Sequence, residues 1–233
     1  MGQYSFLTAK LAFEVDEPKR DFVKKKENVL TVFDWDDTLM CTTIFRNYNR
    51  KLEGEDLENV KKFGKKVKQI LLRSKQIGEV YIISNSSYSW IGYTAQQILG
   101  LNKNDFMNVS ILSCRDNPKI NIYDKEEWKQ KAFELLINDF SQFQSIIFIG
   151  DNNVDIDYSH VLKDKFPDKN ISTIKFIVCP SNIDTLNQEI IFLLIHLKEY
   201  IHNSSNVDLS SFLNKKEMDD SVISMSPSVI ESN

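Results

Sequence analysis

The chain has 233 residues, 42% of them hydrophobic, and a formal net charge of −4 at pH 7. That suffices for one sizeable core in a single α/β domain, and the acidic balance excludes a broad basic surface for non-specific nucleic-acid binding. Cys41, Cys114 and Cys179 form neither a C-x-x-C pair nor a zinc spacing, and no apolar run reaches the roughly 18 residues that cross a bilayer.

Residues 1–28 are mixed and charged, and read as an N-terminal extension packed on the domain. The first apolar run, Val29-Leu30-Thr31-Val32-Phe33, leads directly into Asp34-Trp35-Asp36-Asp37-Thr38. Val60, Phe63, Val67, Ile70 and Leu71 recur at helical spacing before Gly78. A second run at 80–83 ends at Ser84-Asn85-Ser86, and a helical pattern through Trp90, Ala95, Ile98 and Leu99 follows it. A third run lies at 109–112. Trp128, Ala132, Leu135 and Leu136 then precede a fourth at 146–149, which ends in Gly150-Asp151-Asn152-Asn153-Val154-Asp155. A fifth run at 174–178 turns at Cys179-Pro180-Ser181 into a helical stripe from Leu186 to Ile201. Residues 203–233 form a Ser-, Asn- and Asp-rich C-terminal extension, expected to be disordered from about 215.

Short Ile- and Val-rich runs alternating with helical patterns predict a three-layer α/β/α sandwich over 29–202. Its sheet is expected to be Rossmann-like and parallel, with strands buried on both faces. In such sheets ligands bind beyond the carboxyl ends of the strands. Asp34, Asp36, Thr38, Ser84, Asn85, Asp151 and Asp155 all follow strand ends. Carboxylates two apart at the mouth of a buried strand are costly unless a cation compensates them. Asp34 and Asp151 together suit a hard cation with oxygen ligands, Mg²⁺ before Ca²⁺, because so few carboxylates leave room for waters and phosphate.

These residues resemble the signature set of the haloacid dehalogenase-like (HAD) phosphohydrolases. The family's D-x-D-x-T first motif is matched by Asp34, Asp36 and Thr38, and the Ser or Thr ending the next strand by Ser84. A lysine ahead of the fourth strand is the third motif. Gly150, Asp151 and Asp155 match the fourth, G-D-x-x-x-D. The matches extend over about 29–157.

The resemblance implies that Asp34 is the nucleophile that forms an aspartyl-phosphate. Asp36 would protonate the leaving oxygen and then activate water. Mg²⁺ would be held by Asp34, the main-chain carbonyl of Asp36, and Asp151. Thr38, Ser84, Asn85 and the lysine would bind phosphate, with Asp155 in support. Reading Asp36 as the nucleophile gives Asp36-Asp37-Thr38, similar to the D-K-T of cation-pumping ATPases. That motif continues Gly-Thr, where this chain has Leu39-Met40, so Asp34 is preferred and Asp37 is expected to be a turn or capping residue. Among Lys125, Lys129 and Lys131, Lys129 shares a helical stripe with Phe133 and Leu136 and is the one expected to point inward.

Neither 39–83 nor 114–128 has room for a full cap domain beside its predicted elements. The resemblance therefore implies a capless phosphatase, a class that tends to act on bulky phosphorylated substrates such as phosphoproteins. Two alternatives stand beside it: a binding or scaffold protein on the same fold, and a phosphotransferase to an acceptor other than water. The expected setting is cytoplasmic, with the nucleus also open, and no membrane partner. The N-terminus lacks the pattern of a signal peptide.

Overall fold

The structure, a computed structural model, describes residues 28–47, 52–120, 125, 127–180, 182–202 and 204–210. Most of the N-terminal extension, and the part of the tail expected to be disordered, lie outside the described residues. A six-stranded, all-parallel sheet runs in the order β3-β2-β1-β4-β5-β6. Its strands are β1 (Val29–Phe33), β2 (Glu79–Ser84), β3 (Val109–Ser113), β4 (Ser145–Gly150), β5 (Asn170–Lys175) and β6 (Asn206–Asp208). The helices are α1 (Thr42–Asn47), α2 (Gly54–Ile77), α3 (Tyr88–Tyr93), α4 (Trp128–Phe140), α5 (Asn153–Lys165) and α6 (Ile183–His196). A π-helical turn, Thr94–Ile98, continues α3.

Every residue of β1 and of β4 is buried, as expected for central strands of a parallel sheet covered on both faces. Side chains alternate across β1 and feed two cores. Val29 and Phe33 pack with Phe63, Val67 and Ile70 of α2 and with Leu186, Ile190 and Leu193 of α6. Leu30 and Val32 pack on the opposite face with α4 and α5. There Phe133 stacks on Tyr158 at 4.5 Å and meets Phe148 edge-on at 5.6 Å. Such aromatic contacts add about 0.5–1.5 kcal/mol each beyond burial.

α2 is long because its inward positions recur every three or four residues from Val60 to Ser74. Glu55 and Asp56 lie in its first turn and Lys75 in its last, matching the helix dipole. It stops at Gly78, where a side chain would overlap the Val29 carbonyl. Only glycine lets the chain turn so close beside β1 and re-enter the sheet as β2.

Four elements differ from the sequence reading, the first being α1, a short helix in a stretch where none is expected. β5 starts four residues before the expected 174–178 run: the strand includes Ser172 and Thr173, buried with their hydroxyls bonded to Tyr200 O and Asn206 Oδ1. The end of the expected run, from Phe176 on, has left the strand; Ile177 N–H donates to Glu189 instead. β6, within the expected C-terminal extension, adds a three-residue edge strand beside β5. α5 shows no clear apolar period in the sequence because two of its four buried positions are Asp155 and Ser159.

No helix among the described residues is long and apolar enough to cross a membrane. Cys41, Cys114 and Cys179 are free. Burial pushes the Cys41 and Cys114 thiols up to about 12, so both stay protonated and unreactive at neutral pH.

Candidate active site

The connections on either side of the β1–β4 pair run in opposite directions along the sheet. That switch point is where an open α/β sheet leaves a crevice beyond its strand ends. Asp34 follows β1 and Asp151 follows β4, so the two enter the crevice from adjacent strands. Asp34 N–H donates to Ile149 O at 2.9 Å, which extends the β1–β4 pairing up to the carboxylate.

The chain then folds into a tight loop. Leu39 N–H and Met40 N–H both donate to Trp35 O, and Asp37 N–H donates to Met40 O. Asp37 takes a left-handed conformation, φ 52°, which a short polar side chain tolerates. Its carboxylate accepts from Thr43 N–H at 2.8 Å and Thr43 Oγ1 at 2.6 Å, so it ties the loop to the start of α1. Trp35 is fully buried beneath the loop, with its indole N–H on Thr94 Oγ1 at 3.1 Å.

Asp34 is 7% exposed. Its Oδ1 accepts from Trp35 N–H at 2.6 Å and its Oδ2 pairs with Lys129 Nζ at 2.9 Å. Lys129, in the first turn of α4 and buried, also reaches Asp155 Oδ2 at 2.8 Å. The other two candidate lysines are elsewhere: Lys131 pairs with Glu127 and Lys125 is exposed. Asp155, in the first turn of α5, is buried as well. Gly150 makes this approach possible, since a side chain there would fall on Asp155 Oδ2 and press on Asp34 Cβ.

Burial pushes the Asp34 carboxyl well above the ordinary aspartate range. Lys129 opposes the shift, while Asp155, Asp151 and Asp36 add to it. Burial raises Asp155 and Asp151 also, in both cases against Lys129. Burial alone would lower Lys129, but Asp155 and Asp34 outweigh it and hold the ammonium firmly charged. These directions agree physically: one lysine serves three acids, so without a further cation the cluster favours taking up a proton.

Four donors from three elements converge on the Asp36 carboxylate. Thr42 Oγ1 (2.6 Å) and Trp90 Nε1 (3.0 Å) reach Oδ1; Ser86 Oγ (2.6 Å) and Ser84 Oγ (3.2 Å) reach Oδ2. Ser84 also accepts from Ser86 N–H at 3.0 Å. Its hydroxyl thus faces Asp36, and a phosphoryl group would have to compete for it. Thr38 is buried and its Oγ1 has no partner among the described residues. Asn85 is exposed at the end of β2. Thr42, Ser86 and Trp90 were not singled out from the sequence as ligands of Asp36. Only the D-x-D spacing hinted that the second carboxylate would need such partners.

Among the described residues no three His, Cys, Asp or Glu side chains form a ready-made metal cage. The excess of acids over bases around Lys129 nevertheless suits a divalent cation, which would favour their ionised forms. Mg²⁺ fits a set of one or two carboxylates plus waters better than an all-protein cage.

Glu189 of α6 is a further buried carboxyl near this crevice, 1% exposed. Its Oε1 accepts from Ile177 N–H at 2.6 Å, and its Oε2 has no partner among the described residues. Burial pushes it up to about 8; the Ile177 N–H opposes this, and Asp151 and Asp208 contribute to it. The fold therefore favours the protonated form. That stabilisation is whole below the ordinary glutamate pKa and is lost as pH rises through about 8. Glu189→Gln keeps the acceptor and removes the charge. Its melting temperature relative to wild type should rise by several degrees between pH 6 and pH 9. A difference that stays constant across that range would show that Glu189 does not titrate there.

Fold and site together define an all-parallel α/β protein with a buried acid cluster at its switch point. Comparison with protein-family models, curated proteins and solved structures finds no match for this chain.

Proposed function

We propose that this protein is a Mg²⁺-dependent phosphomonoester hydrolase of the HAD type, without a full cap domain, working through a phosphorylated Asp34. The observation that carries the reading is the buried Asp34–Lys129–Asp155 arrangement at the ends of adjacent parallel strands. Asp36 stands two residues beyond Asp34, within the tight loop. An ion pair that costly to bury has a use where an anionic nucleophile must approach an anionic phosphate.

In the first step an Asp34 oxygen attacks phosphorus and the P–O bond to the leaving group breaks, with Asp36 giving its proton to the departing oxygen. In the second, Asp36 takes a proton from water as that water attacks phosphorus. The Asp34–P bond breaks and inorganic phosphate leaves. Lys129 holds Asp34 in place and offsets charge on the transferring group. Asp155 fixes Lys129. Thr42, Ser84, Ser86 and Trp90 orient Asp36, so that the acid–base group is preorganised rather than mobile. Asp34, the Asp36 carbonyl and Asp151 would hold Mg²⁺, which supplies further charge neutralisation at the phosphoryl oxygens. The substrate reading is a phosphorylated molecule too bulky for a lidded site, a phosphoprotein among the candidates.

The test is phosphate release from an aryl phosphate. EDTA should abolish it and added Mg²⁺ should restore it. Beryllofluoride, which mimics a phosphoryl group on a carboxylate, should raise the melting temperature only when Mg²⁺ is present. Absence of both effects overturns the proposal.

A further inference from the structure

A pocket of about 510 Å³ opens beside Asp36, within the size range of sites that hold small ligands or a peptide side chain and its neighbours. Ser86 and Trp90 form part of its wall, and both also donate to Asp36. Anything seated in the pocket therefore lies against side chains that hold the proposed acid–base carboxylate.

Two arginines line this pocket from separate parts of the chain. Arg46 comes from the last turn of α1 and Arg115 from the turn after β3. Both are exposed, and among the described residues neither has an ion-pair or hydrogen-bond partner. Among the described residues no Asp or Glu lines the pocket, although the protein as a whole carries a net charge of −4. Tyr93, 49% exposed and 6.4 Å from the Trp90 ring, adds an apolar wall. Solvated arginines on a surface are ordinary. Two arginines around one pocket, with no acid in its lining and no partner of their own among the described residues, concentrate positive potential there.

We propose that this pocket binds a second anionic group carried by the leaving group of the substrate, with Arg46 and Arg115 as its ligands. The assignment rests on reading Asp34 and Asp36 as the phosphoryl-transfer pair. Guanidinium groups bind carboxylate and phosphate through charge-assisted, often bidentate hydrogen bonds. The second anion could be part of a small molecule or an acidic side chain beside a phosphorylated residue. Both present the same chemistry to the pocket.

Matched substrates separate these sources. Phenyl phosphate is compared with 4-carboxyphenyl phosphate, and a phosphotyrosine peptide flanked by glutamates with its glutamine-flanked twin. The wild type should prefer the doubly anionic member of at least one pair by about 10-fold or more in kcat/KM, chiefly through KM. Arg46→Gln and Arg115→Gln should each shrink that ratio, and the double variant should bring it near one. The pair with the larger arginine-dependent ratio identifies the source. Ratios near one in the wild type, or ratios that survive in the double variant, overturn the proposal.

Binding of the same esters to Asp34→Asn protein, read by titration calorimetry, does not require turnover. A preference that depends on the two arginines in binding, with no hydrolysis by wild type, would sustain the pocket and overturn the hydrolase. Hydrolysis without such a preference would do the reverse.

Discussion

Asp34→Asn is expected to lower aryl phosphate hydrolysis by at least about 10³-fold, as removal of a covalent nucleophile does elsewhere. An amide cannot form the proposed phosphorylated intermediate, so acid-stable labelling of the protein by a phosphoryl donor should vanish as well. The effect on stability should be far smaller, because two changes oppose each other. Removing one of three acids around Lys129 relieves repulsion in a cluster whose carboxyls burial already pushes up. Against that, Asp34 uses one oxygen for Trp35 N–H and the other for Lys129. Asparagine has one oxygen, so one of those donors faces an NH₂ and loses a hydrogen bond that contributes about 1 kcal/mol. The melting temperature should move by no more than a few degrees. Equal hydrolysis rates in variant and wild type would remove Asp34 from the chemistry. A large drop in melting temperature would mean that the lost activity reports unfolding.

Much of the architecture was legible because its central strands are short, continuous apolar runs. β1 coincides with its run, and β2, β3 and β4 extend theirs by one or two residues. The weak points share a cause. In β5 and α5 buried positions carry polar side chains, Ser172 and Thr173 in the strand and Asp155 and Ser159 in the helix, so hydropathy loses its period where the fold satisfies those groups by hydrogen bonds or an ion pair. β6 is too short to leave a pattern. The candidate site divides similarly. Asp34, Asp151 and Asp155 stand within a few residues of strand ends, so strand order alone brings them to one crevice. Lys129 could be chosen over Lys125 and Lys131 because helical spacing put it on the Phe133 stripe. The partners of Asp36 could not be chosen that way. Thr42 comes from α1, and Ser86 and Trp90 from the turn and helix after β2, two segments whose meeting depends on tertiary packing, and each is an ordinary residue in its own segment.

Lys129→Met should affect both activity and stability, and the pH dependence of the stability loss shows why. Methionine matches the length of the lysine stem and removes only the ammonium that bridges Asp34 and Asp155. Removing one side of a buried ion pair costs about 3–5 kcal/mol, because the other charge stays buried without a partner. For a chain of this size that corresponds to a fall of roughly 6–20 °C in melting temperature. If the proposed phosphoryl transfer holds, loss of this cation should lower kcat by roughly 10²–10³-fold. Without Lys129, the ammonium that opposes the upward shifts of Asp34 and Asp155 is gone. Groups whose folded pKa is raised stabilise the protein fully below their unfolded value and lose that contribution as pH rises. The stability deficit of Lys129→Met should therefore be larger at pH 8 than at pH 5. Adding Asp155→Asn to it should recover part of the melting temperature, since removing both partners is less costly than removing one, yet should recover none of the activity. Thermal melts of the three proteins at the two pH values test the argument. A deficit independent of pH would mean that Lys129 stabilises the fold by packing its stem rather than by neutralising the acids.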